Sequence, residues 1–410
     1  MPFVTPYTDV DFVADYNAAN STDWRSADTY LVWVPSAGKY WLELTPKNAA
    51  NTTDSPGVWA IIDPATRAIS GFSDPWGIAS EAMVRLGAFY DPYHDAVFAQ
   101  SLRWSPVEYR FARFDPDGTL NAISGVLDYS FRWFRVNPVT GHIYALISRA
   151  IGWTELASID PTTCEIDHFI SIPTGVTTGL GSEVDTMIAS PREIWLWAEH
   201  DSDGNLYYTV NEAEAPGTDG DGNVFTVYRT TVYKFDQTTE TGTAIYTTDD
   251  NVTAVMGCYR PDTNELLLYF YDYSDSSRYA TWMDCDTGSI STPELLADTS
   301  VVWSANLEPT WHTATARVFD RVQYNDPTPP YDYHAGGADF DPADMDAEPN
   351  VYEVSEDSSV SYGVVNGYGS EVWVSNYTYD GSDHYYTRIW GGAAVARKIA
   401  IINVNLRRRA

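Results

Sequence analysis

Short runs of alternating apolar and polar residues, each closed by Asp, Asn, Pro or Gly, fill most of this chain. Residues 59–70 (WAIIDPATRAIS), 111–124 (FARFDPDGTLNAIS), 156–175 (LASIDPTTCEIDHFISIPTG), 232–246 (VYKFDQTTETGTAIY) and 281–291 (TWMDCDTGSIS) share one plan. An alternating strand ends in Asp, a polar turn follows, and a second short strand leaves it. Alternation marks half-buried strands. Proline presets φ for the turn, and the Asp side chain accepts hydrogen bonds from amides two or three residues on. A second series of hairpins, entered at Phe89, Arg135, Ile188 and Cys258, is interleaved with the first and richer in aromatics. Two hairpins per unit predict four strands per unit.

The first-series aspartates fall at Asp63, Asp115, Asp160, Asp236 and Asp284. Four antiparallel strands recurring roughly every 40–50 residues mark the blade of a β-propeller. The expected fold is therefore all-β, one propeller domain over residues 1–410, with seven blades and six or eight left open. A sixth unit is expected over residues 300–365, with 350–365 as its later hairpin, and a seventh over the remainder, ending in KIAIINVNLRRRA. The N-terminal run 9–16 (DVDFVADY) is expected to supply the missing strand of the last blade, which would remove the open edges of the ring. Insertions are expected at 201–227, as a hairpin protruding from blade 4, and at 325–350, a Pro-, Gly- and Asp-rich loop. Helix should be scarce; SEAMVRLGAFY reads as a strand running into the Asp91-Pro92 turn.

Residues 144–175, YALISRAIGWTELASIDPTTCEIDHFISIPTG, resemble one repeat of the YVTN-type surface-layer propellers. That repeat has a strand, a loop, a strand ending in Ile-Asp, a Thr-containing turn and a strand closing on Pro-x-Gly. The resemblance covers about one blade, implies the fold, and leaves function open, because propellers host scaffolds, binding modules and enzymes alike.

Charge narrows the partners. The formal net charge is −33, and only four lysines, Lys39, Lys47, Lys234 and Lys398, stand beside 20 arginines. Such a surface repels phosphate backbones, so specific nucleic-acid binding is not expected. Low lysine with excess acid resembles proteins of salt-loving organisms, whose medium screens the repulsion. No apolar run approaches the ~18 residues of a membrane span, and residues 1–16 lack the basic and apolar regions of a Sec signal. Cys164, Cys258 and Cys285 are far apart and form no CxxC pair, which argues against a disulfide framework or a zinc site.

Enzyme signatures are missing: no GxSxG, no HExxH, no phosphate-binding loop. The seven histidines, His94, His142, His168, His200, His312, His334 and His384, are scattered. Two stretches could hold calcium, which prefers clustered oxygens on tight turns. One is Asp201, Asp203 and Asn205, repeated 18 residues later at Asp219, Asp221 and Asn223; the other is Asp339, Asp341, Asp344 and Asp346 with Glu348. Hairpin turns and a solvated acidic loop are the plain alternatives. Most of the 15 tryptophans and 29 tyrosines should pack between blades. Trp76, Trp104 and Trp311, expected in loops, could stack on sugars. Catalytic residues stay unassigned.

These features favour a non-enzymatic structural or adhesion propeller. The concrete expectation is a virion component, at the tail or a surface spike, of a virus with a halophilic or marine host. Its partners would be other proteins of the assembly and a host-surface glycan or glycoprotein, without membrane insertion; outside a virion it would be extracellular or on a cell surface. The alternative is a propeller-fold polysaccharide lyase or glycosidase, with acids, tyrosines and histidines gathered at the axis.

Overall fold

The structure is a computed structural model that describes residues 8–10, 12–20, 24–46, 58–73, 83–104, 107–128, 131–148, 153–171, 198–213, 217–218, 224–225, 228–272, 274, 277–295, 310–312, 316–325, 333–343, 350–355, 360–366, 372–379 and 383–390. The alternating runs form antiparallel meanders with their strands in sequence order, except where the N-terminal Thr8–Val10 joins the last one. Blade 1 comprises Trp24–Val34, Lys39–Pro46, Val58–Asp63 and Ala68–Ser73. Blade 2 comprises Met83–Asp91, Ala96–Trp104, Val107–Phe114 and Leu120–Ile123. Blade 3 comprises Phe131–Val136, Ile143–Ser148, Trp153–Ile159 and Ile166–Ser171. Blade 4 has Ala198–His200, Leu206–Ala213, Tyr228–Asp236 and Thr241–Thr247. Blade 5 has Val252–Arg260, Glu265–Asp272, Ser277–Asp284 and the short Glu294–Leu295. One parallel pair, Arg229↔Val252, links blades 4 and 5 into an eight-stranded sheet.

Blade 6 runs Thr310–His312, Arg317–Asn325, Tyr333–Phe340 and Asn350–Ser355. Blade 7 takes Val360–Asn366, Val372–Tyr379 and Asp383–Trp390, and its fourth strand is the N-terminal Thr8–Val10. That strand pairs antiparallel, Thr8↔Ile389 to Val10↔Thr387. The first strand of each blade touches the first strand of the next, and the circuit returns from Val360–Asn366 to Trp24–Val34. These are the neighbour relations of a propeller, and Thr8–Val10 shares a blade with Asp383–Trp390.

Burial follows the radius. Glu265–Asp272, a second strand, is buried through its middle on both faces, whereas the outer strand Thr241–Thr247 is exposed at Thr241, Thr243, Ala244 and Thr247. Apolar faces meet between blades. Val32, Val34, Trp41 and Trp59 of blade 1 pack on Val97, Ala99, Ala112 and Phe114 of blade 2. Phe98 and Phe111 of blade 2 pack on Phe134, Ile143 and Ile159 of blade 3. Trp41 meets Phe114 edge-on with ring centres 5.8 Å apart, the geometry that fills the wedge between twisted sheets.

Four expectations need correction. The closing strand is Thr8–Val10, not residues 9–16; Phe12–Asn20 is an α-helix. Its apolar residues Phe12, Val13 and Tyr16 also fit helical spacing, and Tyr16 packs edge-on against Phe72 of blade 1 at 5.1 Å. Residues 325–350 are not a loop throughout, because Tyr333–Phe340 is hydrogen-bonded to strands on both sides. The glycines and prolines of this stretch hid the strand; Gly336 stands at a break in register against Asn350–Ser355, a place where a strand takes glycine. Residues 350–365 are not one hairpin; Asn350–Ser355 ends blade 6 and Val360–Asn366 begins blade 7. Asp201–Asn205 is not the base of a protrusion but the turn between the first two strands of blade 4. The protruding hairpin is the smaller pair Gly217–Thr218 and Val224–Phe225. The hairpin expected at Ser190 and the final KIAIINVN strand lie outside the described residues.

Candidate functional site: the hairpin face

In an up-and-down meander, the first–second and third–fourth connections emerge at the same end. Both sequence series therefore lie on one face of the ring. The first series closes the third–fourth hairpins. Asp63 Oδ1 accepts from the amides of Ala65 (2.8 Å) and Thr66 (3.1 Å), and Asp236 Oδ1 from Thr238 (2.8 Å) and Thr239 (3.2 Å). Asp160 accepts from Thr162 N at 2.7 Å and Thr163 Oγ1 at 3.0 Å. Asp284 accepts from Asp286 N, Thr287 N and Thr287 Oγ1. These bonds favour the ionised carboxylate and hold all four groups below the usual Asp range. For Asp63 the Lys39 ammonium adds the largest effect, and the value falls to about 2. Asp115 departs from the plan. Its turn is closed by Gly118 at φ 95°, with Asp117 capping Thr119 N at 2.9 Å.

Four residues after each of these aspartates the chain turns left-handed: Arg67, Cys164, Glu240 and Gly288 have φ of 54°, 64°, 55° and 71°. Cys164 is thus the left-handed residue of its turn. Burial pushes its thiol up to about 12, and that of Cys285 likewise. Both are poor nucleophiles at neutral pH.

The second series repeats the device. Asp91 accepts from Tyr93 N (2.8 Å) and His94 N (3.2 Å), and Asn137 from Val139 N (2.8 Å) and Thr140 N (3.0 Å). Asp201 Oδ1 accepts from Asp203 N (3.0 Å) and Asn205 N (2.8 Å), while its Oδ2 meets Asn205 Nδ2 (2.7 Å) and Tyr207 Oη (2.9 Å). Of the expected cation ligands, then, Asp201 is buried with both oxygens engaged inside its own turn. Asp341 accepts from Ala343 N at 3.0 Å and faces Arg317 at 3.7 Å, which makes it the blade 6 counterpart of Asp63. The Asp-Pro-Ala of both positions was the signal for it. Asp339 lies on the strand Tyr333–Phe340; Asp344, Asp346, Glu348, Asp219, Asp221 and Asn223 lie outside the described residues. Among the described residues no three His, Cys, Asp or Glu side chains gather as metal ligands.

The turns also join neighbouring blades. Gly204 O accepts from Asn137 Nδ2 of blade 3 at 2.8 Å and from Gln237 Nε2. Ser202 N donates to Tyr259 Oη of blade 5 at 3.1 Å. Gly125 N donates to Glu165 Oε1 of blade 3 at 2.6 Å. Tyr207 Oη approaches Cys285 O at 2.8 Å. Between blades 5 and 6 the Arg260 guanidinium lies 5.5 Å from the Trp282 ring and 5.1 Å from Trp311. Those rings meet edge-on at 6.2 Å, and Trp282 Nε1 donates to Pro342 O at 3.1 Å. Trp311 is therefore a buried inter-blade residue, 8% exposed. Trp104 ends the strand Ala96–Trp104, and Trp76 lies outside the described residues.

Sequence reasoning passed over the seam between blades 3 and 4. His142 Nε2 lies 2.6 Å from Ser158 Oγ, and His168 Nε2 lies 2.6 Å from Glu240 Oε1 across the seam. Ser158 is fully buried. Both histidines stand out in the sequence only as scattered residues, because their partners lie 16 and 72 positions away. On blade 2, His94 Nδ1 pairs with buried Asp91.

A scan against models of known families finds no match. A search of curated proteins finds none either. Solved structures do match. The propeller domain of the Trilobed protease from Pyrococcus furiosus, described as having an open velcro topology, aligns with TM-score 0.50 at 10% identity over 89% of this chain and 94% of that one. Prolyl oligopeptidase B from Galerina marginata aligns with TM-score 0.50 at 7% identity over 91% of this chain but 51% of its own length. At such identities the likeness shows the β-propeller fold alone.

Proposed function

We propose that this chain is a seven-bladed, non-enzymatic interaction propeller, a virion component at the tail or a surface spike of a virus with a halophilic or marine host. Its partners are other proteins of the assembly and a host-surface glycan or glycoprotein. The observation that carries this reading is the use made of the hairpin face. Its carboxylates cap their own turns, its amides and tyrosines bridge neighbouring blades, and its thiols are buried. The chemistry-bearing residues thus hold a ring together. The repeat is broken instead by the hairpin Gly217–Thr218 and Val224–Phe225, at the opposite end of blade 4, where a contact can vary without disturbing the turns. The lysine-poor acidic composition supports the saline host.

Two measurements test it together. Particles purified from halophilic or marine lysates are probed with an antibody to this chain, and the purified protein is offered acidic and neutral polysaccharides. The expected result is co-sedimentation with particles, and glycan binding without release of reducing or unsaturated ends. Turnover of any polysaccharide would overturn the reading in favour of a lyase or glycosidase, and absence from all particles would remove the virion.

A further inference from the structure

The joint between blades 3 and 4 brings two histidines, a tyrosine and a glutamate close together. Tyr144, Ser158 and His168 form a cross-strand row on one face of blade 3, because Ser158 pairs with Tyr144 on one side and His168 on the other. Blade 4 answers with Phe235, edge-on to Tyr144 at 5.4 Å, and with Glu240 at the tip of its outer hairpin. The adjoining seam between blades 2 and 3 is filled by Phe98, Phe111, Phe134, Ile143 and Ile159 instead.

Two imidazoles lie at this joint, and they differ in their partners. His168 is paired with Glu240. His142, half-buried, meets the hydroxyl of Ser158 and lies tilted against the Tyr144 ring at 4.8 Å. The charged groups that act on it are Asp160, Asp167 and His168 of its own blade and Glu240 of blade 4. From blade 2, Tyr93 and His94 crowd the adjacent Gly141. Burial outweighs the three acids and pulls the imidazole below its ordinary 6.5. While His142 is neutral, Nε2 can accept the hydroxyl proton of Ser158. Once Nε2 carries a proton it becomes a donor, and Ser158 must turn its own proton toward a new acceptor within a buried site. A buried hydroxyl without an acceptor is costly.

We propose that this seam is a pH-sensitive joint, closed while His142 is neutral and loosened between blades 3 and 4 when His142 takes a proton from solvent. The sign follows from linkage. The folded value lies below that of the exposed imidazole, so the opened seam binds more protons, and opening gains as pH falls below 6.5.

Hydrogen exchange of the full chain tests this, read on residues 153–171 and 228–247 at pH 7.5 and 5.5 in high salt and corrected for intrinsic rates. Protection should fall by up to about tenfold per pH unit below 6.5, the limit for one proton. His142→Gln, which keeps a hydrogen-bonding group but does not titrate, should abolish that slope. His168→Gln should keep it, with its midpoint moved upward by removal of the neighbouring charge. Equal slopes in the parent and His142→Gln overturn the proposal. So does an NMR titration of His142 in the unaltered protein at or above 6.5, a measurement that stands if the variant fails to fold.

Discussion

Gly288 is where one blade rests on the backbone of another. It sits at φ 71°, four residues after Asp284, and donates its amide to Asp284 O at 2.9 Å. A Cβ added there would lie 2.5 Å from Ile245 O and 3.1 Å from Ile245 C, on the outer strand of blade 4. Backbone cannot rotate away as a side-chain tip can, so Gly288→Ala must move one hairpin off the next. Gly38 gives the control: its φ is 61°, yet nothing lies within 4 Å of the added Cβ. Both substitutions carry the left-handed strain of about 1–2 kcal/mol. Only Gly288→Ala adds an overpacking cost of about 1–3 kcal/mol. Its total destabilisation is expected at about 2–5 kcal/mol, against about 1–2 kcal/mol for Gly38→Ala. Urea unfolding of both variants, followed by tryptophan fluorescence and compared at a common slope, measures the difference. Equal midpoints would refute the inference that the blade 5 turn is wedged against blade 4.

Three further outcomes follow from the same geometry. With a net charge of −33, raising salt from 0.1 to 1 M shortens the screening length from about 10 to 3 Å, so the melting temperature should rise, and a flat response would count against a saline host. The turn carboxylate of Asp63 lies below 3.8 when folded, so its contribution is complete above about pH 4 and fades as pH falls through about 2. Asp63→Asn should remove that part of the acid transition, read by circular dichroism from pH 5 to 1.5. Cys164, Cys258 and Cys285 are buried, so a thiol reagent at pH 8 should label the native protein slowly and all three thiols at once in denaturant. Fast native labelling would show that these sites open.

The hairpin plan was legible because its bonds are local. An Asp accepting from amides two and three residues on leaves its mark in a five-residue window, which is why Asp63, Asp160, Asp236 and Asp284 stand out in the sequence. Asp341 escaped because its Asp-Pro-Ala turn lies in a stretch whose Gly and Pro content resembles a loop. The helix Phe12–Asn20 escaped because DVDFVADY fits both periods, and docking on Phe72 decided between them.

The sequence by itself determined the repeating unit, its turn chemistry and the all-β class, since each depends on neighbours a few residues away. The tertiary structure alone decided which turns meet. Asn137 reaches Gly204 across 67 positions, and His168 reaches Glu240 across 72. It also set Trp311 against both Trp282 and Arg260 rather than in a loop. Such partners come together only when twisted blades pack around a common axis, and no spacing along one chain encodes that distance.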